Sequence, residues 1–266
     1  MSVPKIVDAH MHLGAPFTLF THGWELRDVV GRMDRLHIDR GYSAHHFWLA
    51  GRFGEARAAS IEAAEATGGR LPFLAVFDPR RESESLAAMD ACLGHPYFIG
   101  IKIHPSFHGV SACDARYDAV WQYAAKYKLP IVTHSWSDTY NPVQKLSLPD
   151  LFEEHVRRHP GVSLILGHGG GPGNGQLQAI RLARGYPNVF LDTSGDVFSL
   201  DWIPNLVTAI GADRILFGSD QTWIDPAAHL TRIHFADIDA EAKAQILGGN
   251  ALRIFEPHLA QGDNAC

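Results

Sequence analysis

The 266-residue chain is expected to fold as a single-domain (β/α)8 (TIM) barrel. Three observations lead there. Eight short β-rich runs recur at intervals of about 25–35 residues, the spacing of strand–helix units that feed a parallel sheet. Helical apolar patterns lie between the runs. The first run ends in HMHLG, without the Gly-rich turn or P-loop that an open doubly wound sheet usually carries there.

The runs, in order, are KIVDAHMHL (5–13), IDRGYSAHH (38–46), LPFLAVFD (71–78), FIGIKIHP (98–105), LPIVTHSW (129–136), VSLILGHGG (162–170), NVFLDTSG (188–195) and RILFGSDQ (214–221). Side chains alternate along a strand, so Asp8, His10 and His12 share one face of the first run. Val7, Ala9, Met11 and Leu13 share the other. In the fourth run Ile99, Ile101 and Ile103 suit covering helices, which points Gly100, Lys102 and His104 into the barrel. Helical spacing is clearest at Tyr117, Val120, Trp121 and Ala124, and again at Ile203, Leu206, Val207 and Ile210. A final helix is expected over Asp239–Phe255, broken near Gly248-Gly249, with Asn250 capping a renewed turn. No linker or composition shift marks a second domain, so residues 1–258 form the barrel and 259–266 a flexible tail.

Composition narrows the function classes. Lys and Arg number 23 against 29 Asp and Glu, a formal charge of −6, so no nucleic-acid partner is expected. No apolar run approaches the roughly 20 residues that cross a bilayer. The first strand begins within ten residues of the start, which leaves no signal peptide to expect. Cys92, Cys113 and Cys266 are widely spaced and odd in number, so a disulfide framework is not expected and a reducing, cytoplasmic location is. A small-molecule substrate is the expected partner, with homo-oligomerisation open.

Sixteen histidines are the oddity, and position gives them meaning. Active sites of (β/α)8 barrels form at the carboxyl ends of the strands. There the runs carry His10 and His12, Lys102 and His104, His134, His168, Asp192 and Asp220. A lone HxH is weak, and Asp220 alone would equally be a helix cap. Neutral imidazoles and a carboxylate converging from strands one, five and eight match the ligands that Zn²⁺ or a similar ion prefers. His155 and His159 have i, i+4 spacing but lack the Glu of HExxH, and are expected at the surface. His45, His46 and His108 follow strands and are expected near the mouth without a direct role.

The ordered set DAHMHLG, FLAVFDP, GIKIHP, VTHS, LGHGGG, LDTSG, ILFGSD and ILGGNALRIF resembles the amidohydrolase superfamily. More narrowly it is similar to the amidohydrolase-related branch that includes aminocarboxymuconate-semialdehyde decarboxylase-like enzymes. The resemblance implies that His10, His12, His134 and Asp220 hold one divalent metal, usually zinc, with His168 beside it. It also implies that Lys102 either meets an anionic substrate or, if carboxylated, bridges a second metal.

On that footing Asp220 and His168 are the expected catalytic residues, and Lys102, His104, Trp136 and Trp223 the expected substrate contacts. Hydrolysis of an ester, lactone or amide by metal-activated water is the first expectation. Non-oxidative decarboxylation of a small carboxylic acid is the alternative. A barrel reduced to a non-catalytic scaffold would show gaps among these residues, and there are none. Phe17 and Phe20, with the two tryptophans, suit a partly apolar enclosure of the pocket and, equally, simple packing on the barrel rim.

Overall fold

In the computed structural model the described residues are 5–16, 22–138 and 141–259. Phe17, Phe20 and all of the expected tail beyond Leu259 lie outside them. Each of the eight runs contains a strand: β1 (Val7–Leu13), β2 (Arg40–His45), β3 (Phe73–Val76), β4 (Phe98–Ile103), β5 (Ile131–Thr133), β6 (Leu164–Leu166), β7 (Val189–Asp192) and β8 (Ile215–Leu216). They form one parallel sheet in chain order. Helices return the chain after each strand, at Leu26–Arg35, Phe53–Ala66, Glu82–Asp90, Asp118–Tyr127, Glu153–Arg158, Asn174–Gly185 and Trp202–Ile210, and finally over residues 240–255. Both faces of the strands are buried, as a barrel interior and a helical jacket require.

Strands β5 to β8 are short because their polar ends leave the ladder early. His134 follows β5 at once, His168 lies two residues past β6 and Asp220 four past β8. The seam between β8 and β1 closes through this extension. Ala9 N–H donates to Phe217 O at 2.9 Å, and Asp220 N–H donates to His10 O at 2.8 Å. Asp8 explains its polar place in β1 here. Its carboxylate accepts from the Ser219 backbone at 3.0 Å, from the Ser219 hydroxyl and from His10 N–H at 3.2 Å. Asp8 is therefore a clasp on the seam, and only His10 and His12 of that face reach the mouth.

The helical readings hold in register: Tyr117, Val120, Trp121, Ala124, Ile203 and Leu206 are all buried. Two expectations are corrected. Asn250 does not cap a new turn, because the chain passes from Ala240–Ala244 through a π turn (Gln245–Gly249) into Asn250–Phe255 without leaving helical geometry. Its amide instead donates to Ala212 O at 2.8 Å and Ile215 O at 2.7 Å, tying the helix to β8. His155 is buried rather than superficial, its ring stacked on Trp121 at 5.4 Å, with half-buried His159 on the same indole at 5.9 Å. A planar imidazole covers apolar surface as well as it faces water.

The π turn brings Gly248 against the segment that leads into β1, where an added Cβ would stand 2.1 Å from Lys5 O. Gly248→Ala should thus cost about 1–3 kcal/mol through forced backbone movement. Gly54→Ala, in open space on a helix, should be neutral or mildly stabilising. Thermal melting of the two variants checks the contrast.

Candidate metal centre and active site

The strand ends bring His10, His12, Lys102, His104, His134, His168, Asp220 and Trp223 around one cavity of about 50 Å³. Leu49, from a short turn of helix after β2, completes the wall and carried no recognisable signal in the sequence. Close packing there depends on Gly218, where a Cβ would lie 2.9 Å from His10 Cβ and 3.2 Å from Asp192 Cγ.

Hydrogen bonding decides which lone pairs face the cavity. His10 Nδ1–H donates to Asp192 Oδ2 at 2.8 Å, leaving Nε2 as a lone pair that accepts from Lys102 Nζ at 2.5 Å. His12 Nδ1–H donates to Ala44 O at 3.2 Å, so its Nε2 is a lone pair too. Both nitrogens approach Asp220 Oδ1, at 3.6 Å and 3.2 Å. The donor atoms of His10, His12 and Asp220 all lie within 4.8 Å of one another.

Burial pushes His12, His104, His134 and His168 down and keeps them neutral, His134 at about 4. Burial opposes the ionised form of Asp220, but the contact with His12 and the pull of His168 and His10 outweigh it and hold the carboxyl well below its usual range. A neutral His12 and an ionised Asp220 therefore present lone pairs to each other. A divalent cation between them would satisfy both lone pairs, as a proton on His12 Nε2 does in its absence. Two nitrogens and a carboxylate oxygen are a donor set that suits Zn²⁺ or a similar divalent ion.

The remaining residues fall into place around this trio. Burial lowers Lys102 to about 8, against the attraction of Asp192 and Asp220. His134 does not join the trio directly: its Nδ1 is 3.0 Å from His168 Nε2, and its Nε2 is 2.9 Å from Gln144 Oε1. His104 stacks on His134 at 4.0 Å. Trp223 lines the cavity, whereas Trp136 lies outside it and packs edge-on against His168 at 5.3 Å. His46 stacks on His12 at 5.0 Å and accepts from Trp223 Nε1 at 2.9 Å, a closer part than its place in the sequence implied. The second group that would suit an ion, His10, His168 and Asp192, is built on the far nitrogen of His10. Its bonds make it an orienting shell for the first.

Sequence and structure comparisons agree with this architecture. The amidohydrolase family model matches residues 7–256, and the chain belongs to that family. The sequence matches no curated protein. Among solved structures, 2,6-dihydroxybenzoate decarboxylase from Rhizobium superposes with a TM-score of 0.74 at 16% identity, covering 96% of this chain and 99% of its own. 5-Carboxyvanillate decarboxylase from Sphingomonas paucimobilis does so with 0.70 at 14% identity, covering 96% and 99%. 4-Oxalomesaconate hydratase from Rhodopseudomonas palustris gives 0.68 at 17%, covering 96% of each.

Burial also makes stability depend on pH. His108 and His229 are buried and driven down to about 4, chiefly by loss of solvation. The unfolded chain binds protons to these rings below about 6.5 and the native state does not, so stability is full above that pH and is lost as pH falls towards 4. Burial raises Asp8 to about 7, which acts in the opposite sense between about 4 and 7. The imidazoles outnumber it. Melting of metal-free protein should therefore show Tm falling between pH 6.5 and 4.5, and a flat profile would contradict neutral buried rings.

Proposed function

We propose that this protein is a metal-dependent enzyme that removes the carboxylate of a small organic acid as CO2. The observation that carries the reading is Lys102. Its amine is buried at the cavity among neutral imidazoles, placed to pair with an anionic group. A cavity of about 50 Å³ takes an ion and the carboxylate end of a substrate rather than a whole one. The named decarboxylases among the structural neighbours support the same reading.

His10, His12 and Asp220 would hold the metal, with His134 as a fourth ligand. A divalent ion there would supply a Lewis acid for a substrate oxygen, or lower the pKa of a water to about 7. Lys102 binds the carboxylate as an ammonium, and the His168 ring lines the cavity beside the reacting centre while its Nε2 meets His134. Asp220 takes a proton from a substrate hydroxyl or water. As the C–C bond breaks and CO2 leaves, the electron pair stays on carbon and receives that proton. Leu49 and Trp223 form the apolar wall against the rest of the molecule.

Hydrolysis of an ester, lactone or amide is the second reading. It is favoured by Asp220, which stands beside both β1 imidazoles and would serve as base towards a water. A panel of small aromatic and aliphatic carboxylic acids, lactones and esters separates the two, scored for CO2 release and for acid release. CO2 from a carboxylic acid is the expected result. Turnover of lactones or esters alone would put hydrolysis in its place.

Protein purified without added metal should hold close to one divalent ion, and His12→Ala should abolish occupancy and turnover together. Full turnover after exhaustive chelation would overturn the metal reading. Lys102→Ala should raise KM for a carboxylate substrate and leave metal content near one. Two ions per chain, with a carbamate on Lys102, would instead mark it as a bridge. Asp220→Asn keeps an oxygen donor but cannot accept a proton, so kcat should fall by about 10²–10⁴-fold. Near-normal kcat would move the proton-carrying role to His168.

A further inference from the structure

His10 and His12 have their tautomers set by acceptors on Nδ1, but His134 has only another imidazole there. What sets that imidazole lies one step further back. Ser194 is wholly buried, and its hydroxyl oxygen is 2.5 Å from Asp192 Oδ1, 2.9 Å from His168 Nδ1 and 3.0 Å from His10 Nδ1. A serine hydroxyl has one proton to donate. The Asp192 carboxylate can only accept, and a charged acceptor at the shortest of the three distances takes it.

With its proton given to Asp192, Ser194 Oγ is left as an acceptor. His168 must then carry its proton on Nδ1 to donate to it, since His10 Nδ1–H already serves Asp192 Oδ2. A neutral imidazole has a single N–H, so His168 Nε2 is a lone pair. That lone pair faces His134 Nδ1 at 3.0 Å, which must therefore bear the proton of His134. His134 Nε2 is left as a lone pair.

We infer that Ser194 is a positioning residue that sets the tautomers of His168 and His134, so that His134 offers Nε2 as a metal-binding nitrogen. The inference rests on the metal reading for its purpose but not for its geometry. Gln144 stands at the far end, with its Oε1 2.9 Å from His134 Nε2. A half-turn of that amide exchanges its oxygen for NH2 and presents a donor to the lone pair. With the oxygen kept there and His134 donating from Nε2, every proton would reverse, and Ser194 Oγ would face Asp192 Oδ1 at 2.5 Å with no proton between two oxygens. A buried carboxylate in that position is the stronger determinant, so the Ser194 end rules.

Long-range ¹H–¹⁵N spectra of metal-free protein labelled at histidine distinguish Nδ1–H from Nε2–H rings, and competition with a chromophoric chelator reads Zn²⁺ affinity. In the wild type both His168 and His134 should carry Nδ1–H. Ser194→Ala should lose that preference at both rings and weaken Zn²⁺ binding by about 10–100-fold. Ser194→Thr, which keeps the hydroxyl, should restore both, and Gln144→Ala should leave the tautomers unchanged. Nε2–H at both rings in the wild type would overturn the inference, as would wild-type tautomers in Ser194→Ala. The wild-type spectrum decides even if Ser194→Ala does not fold. Failure of the wild type to bind Zn²⁺ would remove the metal reading and leave the tautomer result standing on its own.

Discussion

A single buried carboxylate organises the mouth of this barrel. Asp192, the last residue of β7, accepts from His10 Nδ1, from the backbone N–H groups of His168 and Ser194, and from the Ser194 hydroxyl. An unpartnered carboxylate in such a place would cost several kcal/mol. Four donors instead fill its two oxygens, and although burial opposes ionisation, the attraction of His10 and these bonds hold Asp192 below its usual range. The chain segments following β6 and β7 are thereby joined to β1 at one point. The bonds that locate the strands are the same bonds that decide which nitrogen of His10 faces the cavity.

The crowding of imidazoles around that point has its own logic. Protonated rings at these distances would repel one another and Lys102. Removal from water lowers His12, His104, His134 and His168 towards the neutral form, which is the form that can bind a metal. Stacking of His104 on His134 and of His46 on His12 then becomes attractive packing rather than charge repulsion. The barrel interior thus supplies neutral donors around one buried amine, a mixture that free histidine and lysine would not hold in water at the same pH.

Much of this was legible in the residues. Strand periodicity and the polar punctuation at strand ends located all eight strands and the inward face of β4, because both faces of a barrel strand must be buried and only the ends may be polar. Family resemblance marked His134 as a ligand, yet no pattern in one strand could show that its ring turns to His168 and Gln144. That depends on the loop 141–149 folding back, a contact distant in sequence. Leu49, Ser194 and Gln144 went unnoticed for the same reason: each is an ordinary residue whose role comes from what it meets. The helix Pro226–His234 was missed despite a visible signal, since Asp225 before Pro226 is a capping residue followed by proline at the first helical position. His155 was misplaced because the lack of a metal motif does not tell a solvated ring from one laid on an indole.

His168 and Asp220 share a backbone property that bears on any mutational survey of the site. Both have left-handed conformations, with φ of 61° and 62°. Asparagine and aspartate tolerate that region better than most residues, and bulky or β-branched ones suffer most. Replacing either residue by alanine therefore alters two things at once, the chemistry of the side chain and the cost of the turn that presents it. A ranking of site residues by alanine scanning would overstate these two against His10, His12 and Lys102, which lie in ordinary strand geometry. Asparagine is the fair reference at both, because it leaves the turn nearly undisturbed and isolates the lost group.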